Sequence, residues 1–271
     1  MIRDITIGQY YPADSILHRL DPRVKLVGTL TFLISLFLFN NLIGYVVAGV
    51  FLATVIKLSK VPFSFIVRGL KTIVVLMLFT VTFNLFLTEG EILWQWKFLK
   101  ITVEGIETAV FMALRLTFLI IGSSLMTLTT TPNQLTDGLE TGLKSLKKLH
   151  VPVHEISMMM SIALRFIPIL LEETDKIMKA QQARGADFEE GKLLDRAKAL
   201  IPVLVPLFVS AFRRANDLAM AMEARCYRGG VGRTQMKPLK YTKRDAAAYG
   251  CLVGYLILLV VLTRISGMLF A

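Results

Sequence analysis

Residues 26–56 read LVGTLTFLISLFLFNNLIGYVVAGVFLATVI, a run of apolar and small polar residues without a single charge. As one helix this run would be about 46 Å long at ~1.5 Å per residue, whereas the hydrocarbon core of a bilayer is only ~30 Å thick. Asn40 and Asn41 lie near its middle, and asparagine favours turns. We therefore predict two rather short membrane spans, at residues 25–39 and 42–56.

The composition of the whole chain also indicates a membrane protein. Of its 271 residues 54% are hydrophobic, and a mean hydropathy of +0.60 is too high for an ordinary soluble enzyme. The chain is basic, with 31 Lys and Arg against 20 Asp and Glu, a net charge of +11. Because no nucleic-acid-binding motif accompanies this charge, we expect a cationic face and no nucleic-acid partner. Cys226 and Cys251 are too isolated to indicate a disulfide framework.

Further apolar stretches at residues 72–88, 107–131 and 246–263 predict three more spans. The expected fold is all-α, a polytopic membrane protein with about five transmembrane helices and a set of long amphipathic helices on the cytoplasmic side. The expected divisions are an N-terminal four-span block (residues 1–131), an interfacial helical domain (residues 132–245) and a last span (residues 246–271).

The loop charges predict the orientation, because Lys and Arg in short loops favour the cytoplasm. They are frequent before residue 26 and in residues 57–71, whereas Asn40 and Asn41 have none beside them. Residues 89–100 carry both signs of charge together with Trp94 and Trp96, which suit a membrane interface. The pattern predicts a cytoplasmic N-terminus and, after five spans, an external C-terminus.

Residues 131–245 carry most of the chain's internal polarity. They contain three predicted helices, at residues 132–149, 153–183 and 194–225, and prolines interrupt the last two. Each of the two long helices has an apolar half and a charged half, so we expect both to lie at or under the membrane surface, partly embedded. The alternative is that their apolar halves are two further spans.

Few residues indicate chemistry. The GxxxxGK[ST] spacing of a phosphate-binding loop is absent, and His150 and His154 have no third partner that would indicate a metal site. No catalytic grouping is present, so we expect neither an enzyme nor a cofactor site. Arg115, inside a predicted span, is either a functional charge or an arginine that reaches the interface. Gly250 and Gly254 form a GxxxG pair that permits close helix packing.

Two similar helix ends are the most unusual feature: Ala183-Arg184-Gly185 and Ala224-Arg225-Cys226. An arginine in a last turn complements the helix dipole and a following glycine relieves the cap, so a purely structural reading explains either one. The other reading is that each guanidinium is a bidentate donor for a partner protein.

With these ends, two further motifs resemble the transmembrane T subunit of energy-coupling-factor transporters (the EcfT/CbiQ-like family). One is the N-terminal stretch that leads to Leu20-Asp21-Pro22-Arg23, and the other is Ala163-Leu-Arg165-Phe-Ile-Pro168. The resemblance covers essentially the whole chain and follows the family's order of motifs. Cys226 departs from the family's usual glycine, which puts the geometry of the second cap in doubt.

The resemblance implies a non-catalytic subunit in a bacterial or archaeal cell membrane. Its partners would be two cytoplasmic ABC-type ATPases, which bind ATP and Mg²⁺, and a membrane-embedded S component that binds a vitamin or metal ion. The long helices would be coupling helices. Docking on the ATPases is then expected at Ala183, Arg184, Gly185, Ala224, Arg225 and Cys226. Packing against the S component and within the scaffold is expected at Met158, Met159, Met160, Arg165, Pro168, Pro202, Pro206 and Met220.

The alternative function is a stand-alone membrane transporter or a lipid-metabolising membrane enzyme. Such a protein needs its own polar substrate site among the spans, and Arg115 is the main residue that the sequence offers for one.

Overall fold

The computed structural model describes residues 10–88, 90–96, 99–144, 151–186, 188, 193–229 and 238–269. Within them the chain forms helices and one short hairpin, in the order α1 (Pro22–Ser35), α2 (Leu42–Ser59), α3 (Phe63–Leu87), β1 (Ile92–Trp96), β2 (Leu99–Thr102), α4 (Val103–Thr129), α5 (Pro132–Gly142), α6 (Val153–Ala183), α7 (Leu193–Ala224) and α8 (Lys243–Leu269). The predicted all-α fold is confirmed, and the antiparallel β1–β2 hairpin is the exception to it.

Contacts divide the chain into two compact units. One unit combines Gly8–Gly138 with Leu239–Ala271, and the other contains Leu139–Pro238. We call the first the membrane block and the second the long-helix unit.

The turn predicted at Asn40 and Asn41 is confirmed. Helix α1 ends at Ser35, and Asn41, with an extended backbone, is the N-cap of α2. Helix α1 has 14 residues and is therefore about 21 Å long, which is shorter than the ~30 Å hydrocarbon core of a bilayer. Helix α1 alone is thus too short to span that core.

Aromatic residues form the centre of the membrane block. The rings of Phe51 and Tyr255 stack with centroids 4.3 Å apart, and Phe32 packs against both. The Tyr255 hydroxyl lies 2.8 Å from the Ser35 hydroxyl, so its polar atom has a partner inside this apolar core. Many other large apolar side chains of the block, such as Val75, are exposed, as expected for helices whose outer surface meets lipid.

Five described helices are long and apolar enough to cross a membrane: Leu42–Ser59, Val103–Thr129, Val153–Ala183, Lys198–Ala224 and Lys243–Ile265. The number matches the prediction, but the set differs. Two predicted spans are not in this set, since α1 is too short and the span at residues 72–88 passes only together with Phe63–Lys71 as a bent pair, whereas α6 and most of α7 are included. By length and composition, α6 and α7 are therefore able to cross a membrane, as in the alternative in which their apolar halves are two further spans.

Two of the predicted loops contain regular structure. Residues 57–71 were expected to be a loop, but α3 begins at Phe63, and its first part, Phe63–Lys71, is bent by 60° from Ile73–Leu87. If the two parts form one broken span, the number of candidate spans becomes six. In the segment predicted as an external loop, residues 89–100, the structure has the strands β1 and β2, the second of which continues to Thr102. Aromatic and β-branched residues favour strands, and this signal was available in Ile92-Leu-Trp-Gln-Trp96.

The Asp21-Pro22-Arg23 motif ties several helix ends together. The Asp21 carboxylate caps α1 by accepting from the backbone N–H of Arg23 at 2.9 Å, and it also accepts two hydrogen bonds from the Arg23 guanidinium. The backbone N–H of Asp21 donates to Asp245, which lies in the first turn of α8. Lys25 donates to the carbonyl oxygen of Thr129 at the end of α4, at 2.9 Å. The starts of α1 and α8 and the end of α4 therefore meet at one end of the block.

We predict that Asp21→Ala lowers the stability of the purified protein by about 1–3 kcal/mol, because the substitution removes a helix cap and leaves the partly buried Arg23 without its carboxylate. Thermal unfolding in detergent measures the effect. The matched control is Asp14→Ala, which removes the carboxylate of an exposed ion pair with Arg19 and is expected to leave the unfolding midpoint unchanged. Equal midpoints for the two variants would contradict the anchoring role of Asp21.

Candidate functional site

The long-helix unit is built on α6 and α7. Helix α6 has 31 residues and the bounds that the sequence predicted, and it is about 46 Å long. Helix α7 has 32 residues and begins and ends one residue before the predicted limits. Pro168 lies inside α6, and Pro202 and Pro206 lie inside α7, yet each helix continues through its prolines.

Helices α6 and α7 pack antiparallel. Between them lies a cavity of about 270 Å³ whose lining includes Ile162 and Phe166 from the first half of α6 and Leu218 and Met222 from the last part of α7. At the other end, the late residue Gln181 of α6 donates a hydrogen bond to Pro202 in the first half of α7. The contact therefore covers about 20 residues of α6, or roughly 30 Å. Each helix ends beside the earlier part of its partner, so the two C-terminal ends lie at opposite ends of the pair.

The end of α6 is a Schellman cap with Arg184 at the C-cap position. The backbone N–H of Ala186 donates to Gln181 at 3.0 Å, and that of Gly185 donates to Gln182 at 2.9 Å. These are the two hydrogen bonds of the motif, and Gly185 has the positive φ, +90°, that the motif needs.

The end of α7 repeats this geometry with Arg225 at the C-cap position. The backbone N–H of Tyr227 donates to Met222 at 3.0 Å, and that of Cys226 donates to Glu223 at 2.8 Å. Cys226 has a φ of +56°, so it occupies the left-handed position that Gly185 has in the first cap. The doubt about this cap is resolved, because the backbone geometry is kept although Cys226 is not a glycine.

Arg184 and Arg225 are both exposed. Among the residues that the structure describes, neither guanidinium has a hydrogen bond or an ion pair. Each arginine therefore complements the negative end of its helix dipole through its position alone, and its planar donor group is available to another molecule. The geometry suits recognition of carboxylates or backbone carbonyls in a partner.

The beginning of α6 is fixed by Glu140 of α5. The Glu140 carboxylate accepts from Nδ1 of His154 at 3.0 Å and from the Ser157 hydroxyl at 2.9 Å. Burial raises the pKa of Glu140, but these two hydrogen bonds outweigh burial, and the pKa lies below its usual value. His154 thus has a hydrogen-bond partner in Glu140, while His150 lies outside the described residues. In the described part of the chain no three His, Cys, Asp or Glu side chains are close enough to hold a metal ion.

One face of α7 is apolar and exposed. This face lines an open groove of about 810 Å³. Six of the lining residues are apolar and follow the spacing of one helix face: Ile201, Leu204, Val205, Phe208, Val209 and Phe212. The other two, Arg213 and Asn216, are polar. Phe208 and Phe212 are 62% and 66% exposed, an unusual degree for phenylalanine outside a membrane or an interface. The sequence indicated an apolar stretch at residues 200–212 but not this face as a site, although the helical spacing of its residues was a sufficient signal.

Most of the packing residues that the sequence indicated lie on the surfaces of α6 and α7. Those that are exposed are Met159, Met160, Arg165, Pro168, Pro202, Pro206 and Met220, whereas Met158 is half-buried. None of them lines the α7 groove. The residues predicted to pack against partners and the residues that line the groove are therefore two separate sets.

Arg115 has a local structural role. Its Nη2 donates to the carbonyl oxygen of Phe39 and to the side-chain oxygen of Asn40, in the turn between α1 and α2. Because α1 is too short to cross the bilayer core, the polar backbone atoms of this turn need partners from the protein. The Gly250–Gly254 pair, by contrast, makes no close helix contact among the described residues, because open space surrounds both glycines.

Together the fold and these helix ends define a class: a polytopic all-α membrane protein with two exposed, arginine-tipped helix ends. A family model described as cobalt transport protein, CbiQ, matches residues 13–238. The energy-coupling factor transporter transmembrane protein EcfT of Clostridium kluyveri is 57% identical over 267 residues, 98% of each chain. Proteins of the same name from Ruminiclostridium cellulolyticum and Bacillus subtilis are 54% and 50% identical, over 94% and 93% of this chain and 96% of each relative. The chain therefore belongs to the CbiQ family, and the resemblance to EcfT proteins is confirmed.

We predict opposite effects for two substitutions at the equivalent cap positions. Cys226→Gly removes the cost of a side chain in the left-handed region and is expected to stabilise the end of α7 by up to about 1 kcal/mol. Gly185→Ala introduces that cost at the end of α6 and is expected to destabilise it by about 1–2 kcal/mol. No atom lies within 4 Å of the new methyl group, so the backbone conformation is the whole of this cost and no steric clash adds to it. Hydrogen exchange of the last turn of each helix measures both effects. Faster exchange in Cys226→Gly would contradict the cap geometry.

Proposed function

We propose that this chain is the transmembrane scaffold and coupling subunit of an energy-coupling-factor importer. In this role it transmits the ATP-driven motion of two cytoplasmic ABC-type ATPases to a membrane-embedded S component, which binds a vitamin or metal ion. The observation that carries the proposal is the pair of matching caps, with Arg184 and Arg225 exposed at opposite ends of the α6–α7 pair.

Two equivalent docking points suit two ATPases. The caps share one backbone geometry, so each presents its arginine from a rigid helix end in the same way. Their separation of roughly 30 Å leaves room for a separate protein at each end. Each guanidinium would enter a groove of one ATPase, with Ala183, Gly185, Ala224 and Cys226 as its neighbours at the contact.

The α6–α7 pair would then transmit motion. When the ATPases bind ATP and close, they displace Arg184 and Arg225, and because each helix is continuous the displacement reaches its apolar half. The S component that packs there is reoriented and releases its substrate inward. ATP and Mg²⁺ bind in the ATPases, and this chain contributes the mechanical connection without a cofactor of its own.

The apolar face of α7 supports a site for the S component. A groove of about 810 Å³ lined by Val205, Phe208 and Phe212 is suited to the apolar surface of another membrane protein. Flexible methionines at Met159, Met160 and Met220, which are 41–61% exposed, would allow repacking against more than one S component.

The proposed location is the cell membrane of a bacterium or archaeon, with the N-terminus in the cytoplasm. The support is the basic end of the membrane block, where Arg23, Lys25 and the start of α8 lie together.

The test is charge reversal at both docking points. The double variant Arg184→Glu/Arg225→Glu is expected no longer to co-purify with the ATPases, because each cationic contact becomes repulsive. Its rate of ATP-dependent uptake in proteoliposomes is expected to fall at least tenfold. The control Lys176→Glu/Lys198→Glu makes the same charge change at exposed positions on the same two helices and is expected to retain both properties. Full uptake and normal co-purification by the arginine variant would refute the docking assignment. Uptake by the purified single chain without ATPases would favour a stand-alone transporter.

A further inference from the structure

A backbone carbonyl of α7 lacks its normal helical donor. In an α-helix the carbonyl oxygen of residue i accepts from the N–H of residue i+4, which for Pro202 is Pro206. Proline has no N–H, so the carbonyl oxygen of Pro202 cannot be satisfied within its own helix. Such an acceptor is free to accept from a side chain of a neighbouring helix or from water.

The donor comes from α6. Nε2 of Gln181 lies 3.2 Å from the Pro202 oxygen. The carbonyl only accepts, so the amide must present its NH₂ group to it. Gln181 is three residues before Arg184, and its own carbonyl oxygen accepts from Ala186 in the cap. One residue therefore takes part in the cap beside Arg184 and in a contact with α7.

A second polar contact joins the same two helices. The Arg214 guanidinium of α7 donates to the Glu173 carboxylate of α6, and both side chains are partly exposed. Glu173 is eight residues before Gln181 in α6, about 12 Å along the helix axis. Two directional contacts at this spacing oppose sliding and rotation of one helix against the other, whereas the apolar contacts between them are not directional.

We propose that Gln181 is a positioning residue, which holds the Arg184 end of α6 to the carbonyl freed by Pro206 in α7. A displacement of Arg184 is then passed to α7 and to its exposed apolar face, instead of being lost as sliding between the helices. The proposal rests on the proposed function, because it specifies how motion at one docking point reaches the second long helix.

The test compares variants of Gln181 in the complete transporter. Gln181→Met keeps the length of the side chain but removes the donor, and we expect uptake per ATP hydrolysed to fall about fivefold, the effect of one hydrogen bond on an equilibrium. Gln181→Lys keeps a donor and is expected to retain most of the coupling. The matched control is Gln182→Met, at an exposed neighbour. Co-purification of the ATPases is expected to stay unchanged in all three variants.

Pro206→Ala provides a second measurement. This substitution restores the helical donor for the Pro202 carbonyl, so adding Gln181→Met to it is expected to change coupling by less than about twofold. The proposal would be overturned if Gln181→Met lowered uptake per ATP equally in the unmodified chain and in Pro206→Ala. Equal coupling in Gln181→Met and Gln181→Lys would overturn it as well. These outcomes are distinct from failure of the proposed function, in which charge reversal at Arg184 and Arg225 leaves transport intact.

Discussion

The antiparallel packing of α6 against α7 is the interaction on which the rest of the account depends. Because the two helices run in opposite directions, one continuous structure presents an arginine at each end, at Arg184 and Arg225. If the helices packed parallel, both arginines would lie at the same end and could serve only one docking region. The Schellman caps add rigidity, since each fixes the backbone beside its arginine with two hydrogen bonds.

The surface of the chain differs between the membrane block and the long-helix unit. In the membrane block the exposed side chains are largely apolar, and two polar groups of the interior have partners there: Tyr255 contacts Ser35, and Arg115 donates to the α1–α2 turn. In the long-helix unit each helix combines an apolar half with a charged half. This division explains why α6 and α7 satisfy a hydropathy criterion for spans and yet end in exposed arginines.

Much of this arrangement could be predicted from local signals. Pro152 and Gly185 marked the limits of α6, and Asn41 marked the start of α2, because proline, glycine and asparagine act through their own backbone preferences. The start of α3 was not predicted, because the basic residues in residues 57–71 were taken as the sign of a loop. Basic residues also occur in helices, as they do in the first part of α3. Pairings between distant segments could not be read in the same way. The sequence shows that Pro206 frees a carbonyl, but nothing local identifies Gln181 as its donor.

The most direct test of the central claim is site-specific photo-crosslinking in the assembled transporter. A photoreactive residue placed at Ala183 reports on the end of α6, and one at Ala224 reports on the end of α7. Both positions are exposed and adjacent to the arginines, so the arginines themselves stay intact. We expect each position to crosslink to an ATPase subunit, and a chain labelled at both positions to capture two ATPases. Crosslinks from either position to lipid or to the S component alone, with no ATPase captured, would contradict the central claim.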